Sequence, residues 1–338
     1  MRIALTGSTG FVGSNVAKVL QLRGHEVVGL VRTVAKLPWE TQLVDFQNQD
    51  SIQAALDGSD AVVHCAIAND FNRLMQDRPY AFDAYVGLTS RVVRAAVASS
   101  TKPIFISSDW VMDGTSHLTP ETDPGNPVNI YGFLKAMGEQ VVRDIAPETG
   151  ATCRIGGVMG FHQLKDEGPR NQDVGFGYFV TTLVRELKAK KQFAVWGGDQ
   201  VNKIATPSLA AEIGAQVSLI AEKNAVGTFH LVGDDAVSRM DLARMVCEVF
   251  ELDANLLIET DPPASELFPA PVPVDTSLSN AATKQALGVG PTGLRALLNA
   301  LKTEYESGSP STVTPYYATG SEDRLSVDFI HQQVIETF

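Results

Sequence analysis

Ile3-Ala4-Leu5-Thr6-Gly7-Ser8-Thr9-Gly10-Phe11-Val12-Gly13 governs how the rest of this chain is read. A short apolar run leads straight into glycines at 7, 10 and 13, and Ser14 to Leu22 then shows helical periodicity. Strand, glycine turn and helix stand in the order that a dinucleotide site requires. The glycines permit a tight turn, close approach of a pyrophosphate and packing of helix on strand, while the helix N-terminus favours the phosphates. Gly7, Ser8, Thr9, Gly10, Phe11, Val12 and Gly13 are therefore the expected cofactor turn. Its spacing, G-x-x-G-x-x-G, differs from the common G-x-G-x-x-G fingerprint.

Working outward, Glu26 to Val31 reads as a second strand ending at Arg32. An acidic residue there holds a ribose 2′-hydroxyl in NAD sites, whereas an arginine suits a 2′-phosphate, so Arg32 favours NADP over NAD. Leu43-Val44-Asp45-Phe46 ends a third strand, where Asp45 and Phe46 are placed to meet the adenine. Ala61 to Ala66 is a fourth, fully buried strand, in which His64 reads as a core histidine. Ala66, Ile67 and Ala68 at its carboxyl end let a cofactor lie against the backbone. A helix is expected over 80–98, a fifth strand over Pro103 to Ile106 running into Ser107-Ser108-Asp109-Trp110, and a sixth over Ala151 to Ile155. This alternation predicts an α/β fold, a doubly wound parallel sheet of Rossmann type, with ligands at the carboxyl ends of the strands.

After residue 155 the alternation breaks down. Helices are expected at 178–190, 207–222 and 292–303, strands at Phe193 to Trp196 and Thr228 to Val232, and a capping box at Ser238 to Asp241 ahead of a helix ending at Phe250. The predicted organisation is a dinucleotide-binding domain at 1–155, a smaller mixed α/β substrate domain at 156–302, and a linker with an amphipathic helix (Asp323 to Phe338) at 303–338.

Bulk properties narrow the function. A formal charge of -12 with no long run of Lys or Arg argues against nucleic acid, where affinity rests on phosphate neutralisation. No apolar run approaches the roughly 18 residues of a membrane span. Cys65, Cys153 and Cys247 are widely spaced among apolar neighbours, as expected of buried thiols in a reducing compartment rather than a disulfide framework or a metal site. With no signal segment before Ile3, the expected location is the cytoplasm.

Tyr131 and Lys135, four residues apart, fall on one face of a helix. A phenol titrates near pH 10, and a nearby ammonium is expected to bring it toward working range for proton transfer to a carbonyl oxygen. Ser107-Ser108 arrives at the same sheet edge. The glycine turn, this serine pair and Tyr-x-x-x-Lys together resemble the extended short-chain dehydrogenase/reductase superfamily. Ile106-Ser107-Ser108-Asp109-Trp110-Val111-Met112-Asp113-Gly114 is similar to the S-T-D-Y-V-F-D-G stretch of its dTDP-4-dehydrorhamnose reductase group, as are Gly227 to Leu231 with Ser238-Arg239, and Val274 to Ser277. The resemblance covers about residues 1 to 302. It implies Ser108 as the hydroxyl on the substrate oxygen, Tyr131 as proton donor, Lys135 as the ribose-binding cation, NADPH as hydride source, and a homodimer. The implied substrate is a small-molecule ketone, in this group a 4-keto deoxysugar nucleotide. Expected substrate contacts are Asp109, Trp110, Met112, His162, Gln163, Arg170 and Tyr178.

Two departures stand out. Tyr85 occupies the place where the superfamily usually has an asparagine, and Asp199 to Pro207 follows the group's D-Q-x-G-x-P-T only loosely. Two other readings stay open: an epimerase or dehydratase that keeps NAD bound, and a non-catalytic regulator that binds NADP to stabilise a partner. Arg32, and Trp110 in place of the glutamate that dehydratases carry, count against the first. An intact Ser108, Tyr131 and Lys135 count against the second.

Overall fold

Along β1 (Arg2–Thr6) successive side chains enter opposite layers. Ile3 and Leu5 join one apolar cluster with Val16, Leu20, Val63, Ile104, Ile213 and Val217, while Ala4 joins another with Val28, Leu30, Ile52, Leu56, Val62 and Val92. A strand apolar on both faces needs helices on both, and the doubly wound arrangement supplies them. The computed structural model describes residues 1–34, 36–68, 70–164 and 172–315.

Strands β2 (Glu26–Val31), β3 (Glu40–Leu43), β4 (Ala61–His64), β5 (Lys102–Ser108) and β6 (Ala151–Ile155) join β1 and a last strand, Gly227–His230, in one seven-stranded sheet. The order across it is β3-β2-β1-β4-β5-β6 and then Gly227–His230, with every pairing parallel. The chain moves outward from β1 to β3 and restarts on the other side at β4. The crevice above the β1/β4 junction is thus a topological switch point, where such sheets bind ligands.

The expected boundary at 155 does not close the sheet. Gly227–His230 pairs with β6, and the helix Ala210–Glu222 packs back on the helix Phe11–Leu22. Their approach is close: a Cβ on Gly214 would lie 2.9 Å from the Val19 Cβ. The remainder of the second half gathers Phe179, Leu183, Phe193, Leu209, Val246, Phe250, Leu297 and Leu301 into its own core. The sequence reading also missed the helix Phe71–Gln76, and the helix expected over 80–98 is not uniform. Arg78–Phe82 and Leu88–Ala98 are α-helical, but Asp83–Gly87 between them is a π turn centred on Tyr85.

The linker-like stretch after Ser307 is fastened down. The buried Glu212 carboxylate accepts the N–H groups of Val313 and Thr314 at 2.8 and 3.0 Å and the Thr314 hydroxyl. Arg23 donates to the Pro315 carbonyl at 2.9 Å. The helix expected over 323–338 lies outside the described residues. Among the described residues no helix is long and apolar enough to cross a membrane, and Cys65, Cys153 and Cys247 are unpaired thiols.

Candidate active site

The glycine turn divides its labour. Gly7 has φ +71°, and a Cβ there would sit 2.7 Å from the Ala66 nitrogen; a Cβ on Gly13 would sit 2.1 Å from the Gly7 carbonyl oxygen. Both are held to glycine by the protein itself. Gly10 is exposed beside exposed Thr9, and its Cβ would meet only the Gly7 oxygen, at 3.3 Å. Gly10 caps Phe11–Leu22 with no side-chain hydrogen bond, so the open face of the turn presents first-turn N–H groups where a pyrophosphate fits. Arg32 is exposed just past β2, beside this turn. Asp45 folds its carboxylate back onto the Gln47 N–H at 2.9 Å, and Phe46 packs partly into the adjoining core. Ser8 corrects the expectation for this turn: its side chain is buried beneath the loop against Gly29 and leaves only backbone for a ligand.

Across the crevice, the end of β4 is tied to β1 by residues that the sequence reading left unconnected. The Ala66 N–H reaches the Thr6 hydroxyl at 3.2 Å, and that hydroxyl meets His64 Nδ1 at 2.7 Å. Thr89 gives its proton to the Tyr85 carbonyl at 2.7 Å, so it accepts from His64 Nε2 at 3.2 Å. His64 is thus a neutral core histidine, its pKa lowered to about 3 by burial and then by Lys135. Tyr85 donates to the Ala68 carbonyl at 2.9 Å and packs edge-on against the Tyr131 ring, centroids 6.2 Å apart.

Ser108 and Tyr131 meet because the helix Ile130–Ile145 starts hard against the turn after β5. A Cβ on Gly132 would fall 2.0 Å from the Trp110 carbonyl oxygen, and Asn129 caps the helix by accepting the Gly132 N–H at 3.0 Å. The Ser108 hydroxyl is hydrogen-bonded to the Tyr131 phenol. It also accepts the Trp110 N–H at 3.2 Å and lies 3.1 Å from Asp109 Oδ1. Lys135, one turn along, is 3% exposed and donates to the Ile106 carbonyl at 2.8 Å, with the Phe105 and Tyr85 rings 5.1 and 5.9 Å away. Burial lowers its pKa to about 8.

The expected lowering of the phenol does not occur. Burial raises Tyr131 to about 12, against the opposing pull of the Ser108 bond, because the Lys135 ammonium is turned to a backbone carbonyl. The Tyr131 phenol therefore keeps its proton at neutral pH. Behind the pair, Ser107 donates to Glu139 at 2.6 Å, and Glu139 takes a two-pronged bond from Arg154 at 2.9 and 2.8 Å, both residues wholly buried. His230 turns Nε2 toward Arg154 at 3.3 Å and Nδ1 to the Ser279 carbonyl at 2.7 Å.

The remaining expected contacts that lie within the described residues fall into three groups. Asp109 and Trp110 adjoin Tyr131; the half-buried Trp110 ring meets Tyr131 and Phe268 edge-on, at 6.0 and 5.6 Å. His162, Gln163 and Tyr178 gather instead around the first helix. His162 lies 3.5 Å from the Ser14 hydroxyl, Gln163 bonds Asn15 and the buried Glu304 at 3.1 and 3.0 Å, and the Tyr178 ring is 6.0 Å from Phe11. Met112 is withdrawn from the crevice: it is 4% exposed in a cluster with Val111, Val232 and Leu278. Arg170 lies outside the described residues. Sequence reasoning missed Phe268, Asn202 and Thr276 as neighbours of the site. The only signal for the last two was their position in the segments 199–207 and 274–277.

Residues 1–307 match the family described as the RmlD substrate binding domain. The chain is 29% identical over 311 residues to a probable low-salt glycan biosynthesis reductase of Haloferax volcanii, covering 90% of this chain and 98% of that protein. It is 25% identical to the methionine adenosyltransferase 2 subunit beta of Rattus norvegicus, over 76% of this chain and 74% of that one. Among solved structures, a dTDP-4-dehydrorhamnose reductase of Bacillus anthracis in complex with NADP superposes with a TM-score of 0.73 at 18% identity, covering 90% of this chain and 99% of that chain. The chain belongs to the RmlD substrate-binding-domain family of extended short-chain dehydrogenases/reductases.

Proposed function

We propose that this protein is an NADP-dependent reductase that converts the ketone of a sugar nucleotide, of the 4-keto deoxysugar kind, to an alcohol. The observation that carries the reading is the meeting of Ser108 with Tyr131, Lys135 one helical turn on, at the edge of the sheet that also bears the open glycine turn. The turn residues Gly7 to Gly13 take the pyrophosphate on backbone N–H groups, Arg32 takes the 2′-phosphate, Asp45 and Phe46 border the adenine, and Ala66 to Ala68 form the floor. NADPH supplies a hydride to the carbonyl carbon. Tyr131 gives its proton to the carbonyl oxygen as charge develops there, Ser108 donates a hydrogen bond to the same oxygen, and Lys135 holds the ribose. Trp110 lines the ketone side, with Asp109 buried behind Ser108; His162, Gln163 and Tyr178 border the rest of the substrate.

The names of the Haloferax and Bacillus relatives support a sugar-linked ketone. Free thiols suit the cytoplasm. The exposed Phe82, Val97 and Phe133 on neighbouring helices suit a homodimer, which sedimentation of the pure protein tests. The test of function is a carbonyl panel, sugar nucleotides beside simple ketones, followed by loss of nicotinamide absorbance with NADPH and with NADH. Tyr131→Phe is expected to lower turnover by about 10²–10⁴-fold. Equal use of NADH refutes the role of Arg32. Tyr85 and the similarity to the methionine adenosyltransferase subunit favour one other reading, a regulator. It gains the field if no carbonyl is reduced and a partner copurifies.

A further inference from the structure

We propose that Asp109 sets the direction of the Ser108 hydroxyl and stores the proton that Ser108 passes to Tyr131 during carbonyl reduction, a role that rests on the reductase reading above.

Ser108 Oγ has one proton and two lone pairs, and three polar neighbours: the Trp110 N–H at 3.2 Å, Asp109 Oδ1 at 3.1 Å and the Tyr131 phenol. Two proton arrangements satisfy all of them. With Asp109 ionised, Ser108 donates to the carboxylate and accepts from Trp110 and from the phenol, which turns the phenol's proton away from a substrate. With Asp109 protonated on Oδ1, the acid donates to Ser108, and Ser108 is free to donate to Tyr131 or to a substrate oxygen. Asp109 Oδ2 keeps the Thr276 hydroxyl, at 2.6 Å, in both.

The surroundings make Asp109 able to exchange between these forms. It is 5% exposed, and its described partners are hydroxyls and backbone rather than a cation. Gly156 closes over it so tightly that a Cβ there would lie 2.8 Å from Oδ2. Burial raises its pKa to about 6. Among the described residues the groups facing this cluster are Tyr131 and, one turn on, Lys135 from their helix, Asp173, whose charge bears on the phenol and whose own pKa burial raises to about 6 against the pull of Arg239, and the uncharged Thr276, Asn202 and Gly156. Tyr85 offers Tyr131 a ring edge and spends its own proton on the Ala68 carbonyl, so a proton route through that helix position is closed.

The step balances. The hydride from NADPH forms the new C–H bond and leaves NADP⁺. The Tyr131 O–H breaks as the carbonyl oxygen gains its proton, Ser108 gives its proton to the phenolate, and Asp109 gives its proton to Ser108. Water restores the Asp109 proton as product leaves. Asp109 thus acts through Ser108, as a positioning residue.

The test is kcat for ketone reduction from pH 5 to 8.5, full chain, saturating NADPH, for the wild type, Asp109→Asn and Tyr131→Phe. The wild type is expected to lose about tenfold per pH unit above pH 6. Asp109→Asn, whose amide gives Ser108 an N–H at every pH but no transferable proton, is expected to run at least tenfold slower and flat. A merely structural role for Asp109 would slow the enzyme and leave the limb in place. In parallel, carboxyl-carbon NMR of protein labelled at aspartate is expected to show a resonance, missing from Asp109→Asn, that titrates near pH 6. A limb retained in Asp109→Asn, or that resonance titrating below pH 4, overturns the proposal while turnover lost in Tyr131→Phe leaves the reductase reading standing. A wild type that reduces no carbonyl overturns both.

Discussion

Replacing Glu139 by glutamine removes one charge from a buried pair and leaves the other inside. Glu139 and Arg154 are 0% and 1% exposed, joined by bonds of 2.9 and 2.8 Å, with Ser107 donating a third at 2.6 Å. The exposed Arg143, 3.6 Å from Glu139, adds little to such a pair. Breaking a buried ion pair from one side costs about 3–5 kcal/mol, because the remaining charge is stripped of both water and partner. An unfolding entropy of about 2.1 cal/mol/K per residue gives about 0.7 kcal/mol/K for 338 residues, so the melting point should fall by about 4–7 °C. Urea unfolding followed by circular dichroism, with calorimetry, measures both quantities. Glu139→Leu combined with Arg154→Met removes both charges and should be less damaging than Glu139→Gln. Nicotinamide turnover should fall as well, since Glu139 and Lys135 share a helix and Ser107 adjoins Ser108. A Glu139→Gln protein within 1 kcal/mol of the wild type, or a double variant worse than the two single changes summed, would refute this reasoning.

Two further predictions concern the turn and the buried histidines. Gly7→Ala should destabilise the fold, since its Cβ meets backbone at a positive φ, whereas Gly10→Ala should fold normally and bind NADPH more weakly; calorimetric titration showing undiminished affinity in Gly10→Ala would remove the pyrophosphate from that face. His64 and His230 have pKa values lowered to about 3 and about 4, first by burial and then by Lys135 and Arg154 respectively. A lowered folded pKa contributes stability that is present above the unfolded value of 6.5 and lost as pH falls toward the folded one. Two such groups give a slope of at most about 2.7 kcal/mol per pH unit between about pH 6.5 and 4, and His230→Asn should halve it in pH-dependent urea titrations. An unchanged slope would show that His230 is protonated in the native protein.

The parts of this molecule that were legible in its sequence are those governed by local rules. The glycine turn follows from Gly7, Gly10 and Gly13 between an apolar run and a helical one, because only certain residue orders let a strand turn so tightly into a helix. The apolar runs of β1, β4 and β5 announce strands covered on both faces, and the four-residue spacing puts Tyr131 and Lys135 on one side of a helix. Helix capping by Ser238 was readable in the same way.

What the tertiary structure alone decided are matters of burial and of which atoms meet. Composition does not reveal that Gly227–His230 completes the main sheet, that Tyr85 sits in a π turn, or that Ser8 and Met112 point away from the crevice. The largest revision is electrostatic. A lysine four residues from a tyrosine predicts an acidified phenol, yet the folded chain turns the Lys135 ammonium to the Ile106 carbonyl and buries Tyr131, so desolvation wins. The same burial, with Thr276 arriving from 167 residues away, makes Asp109 a carboxyl able to hold a proton. Spacing along a chain determines which side chains share a face; the free energy of their charges depends on the solvent that folding takes away.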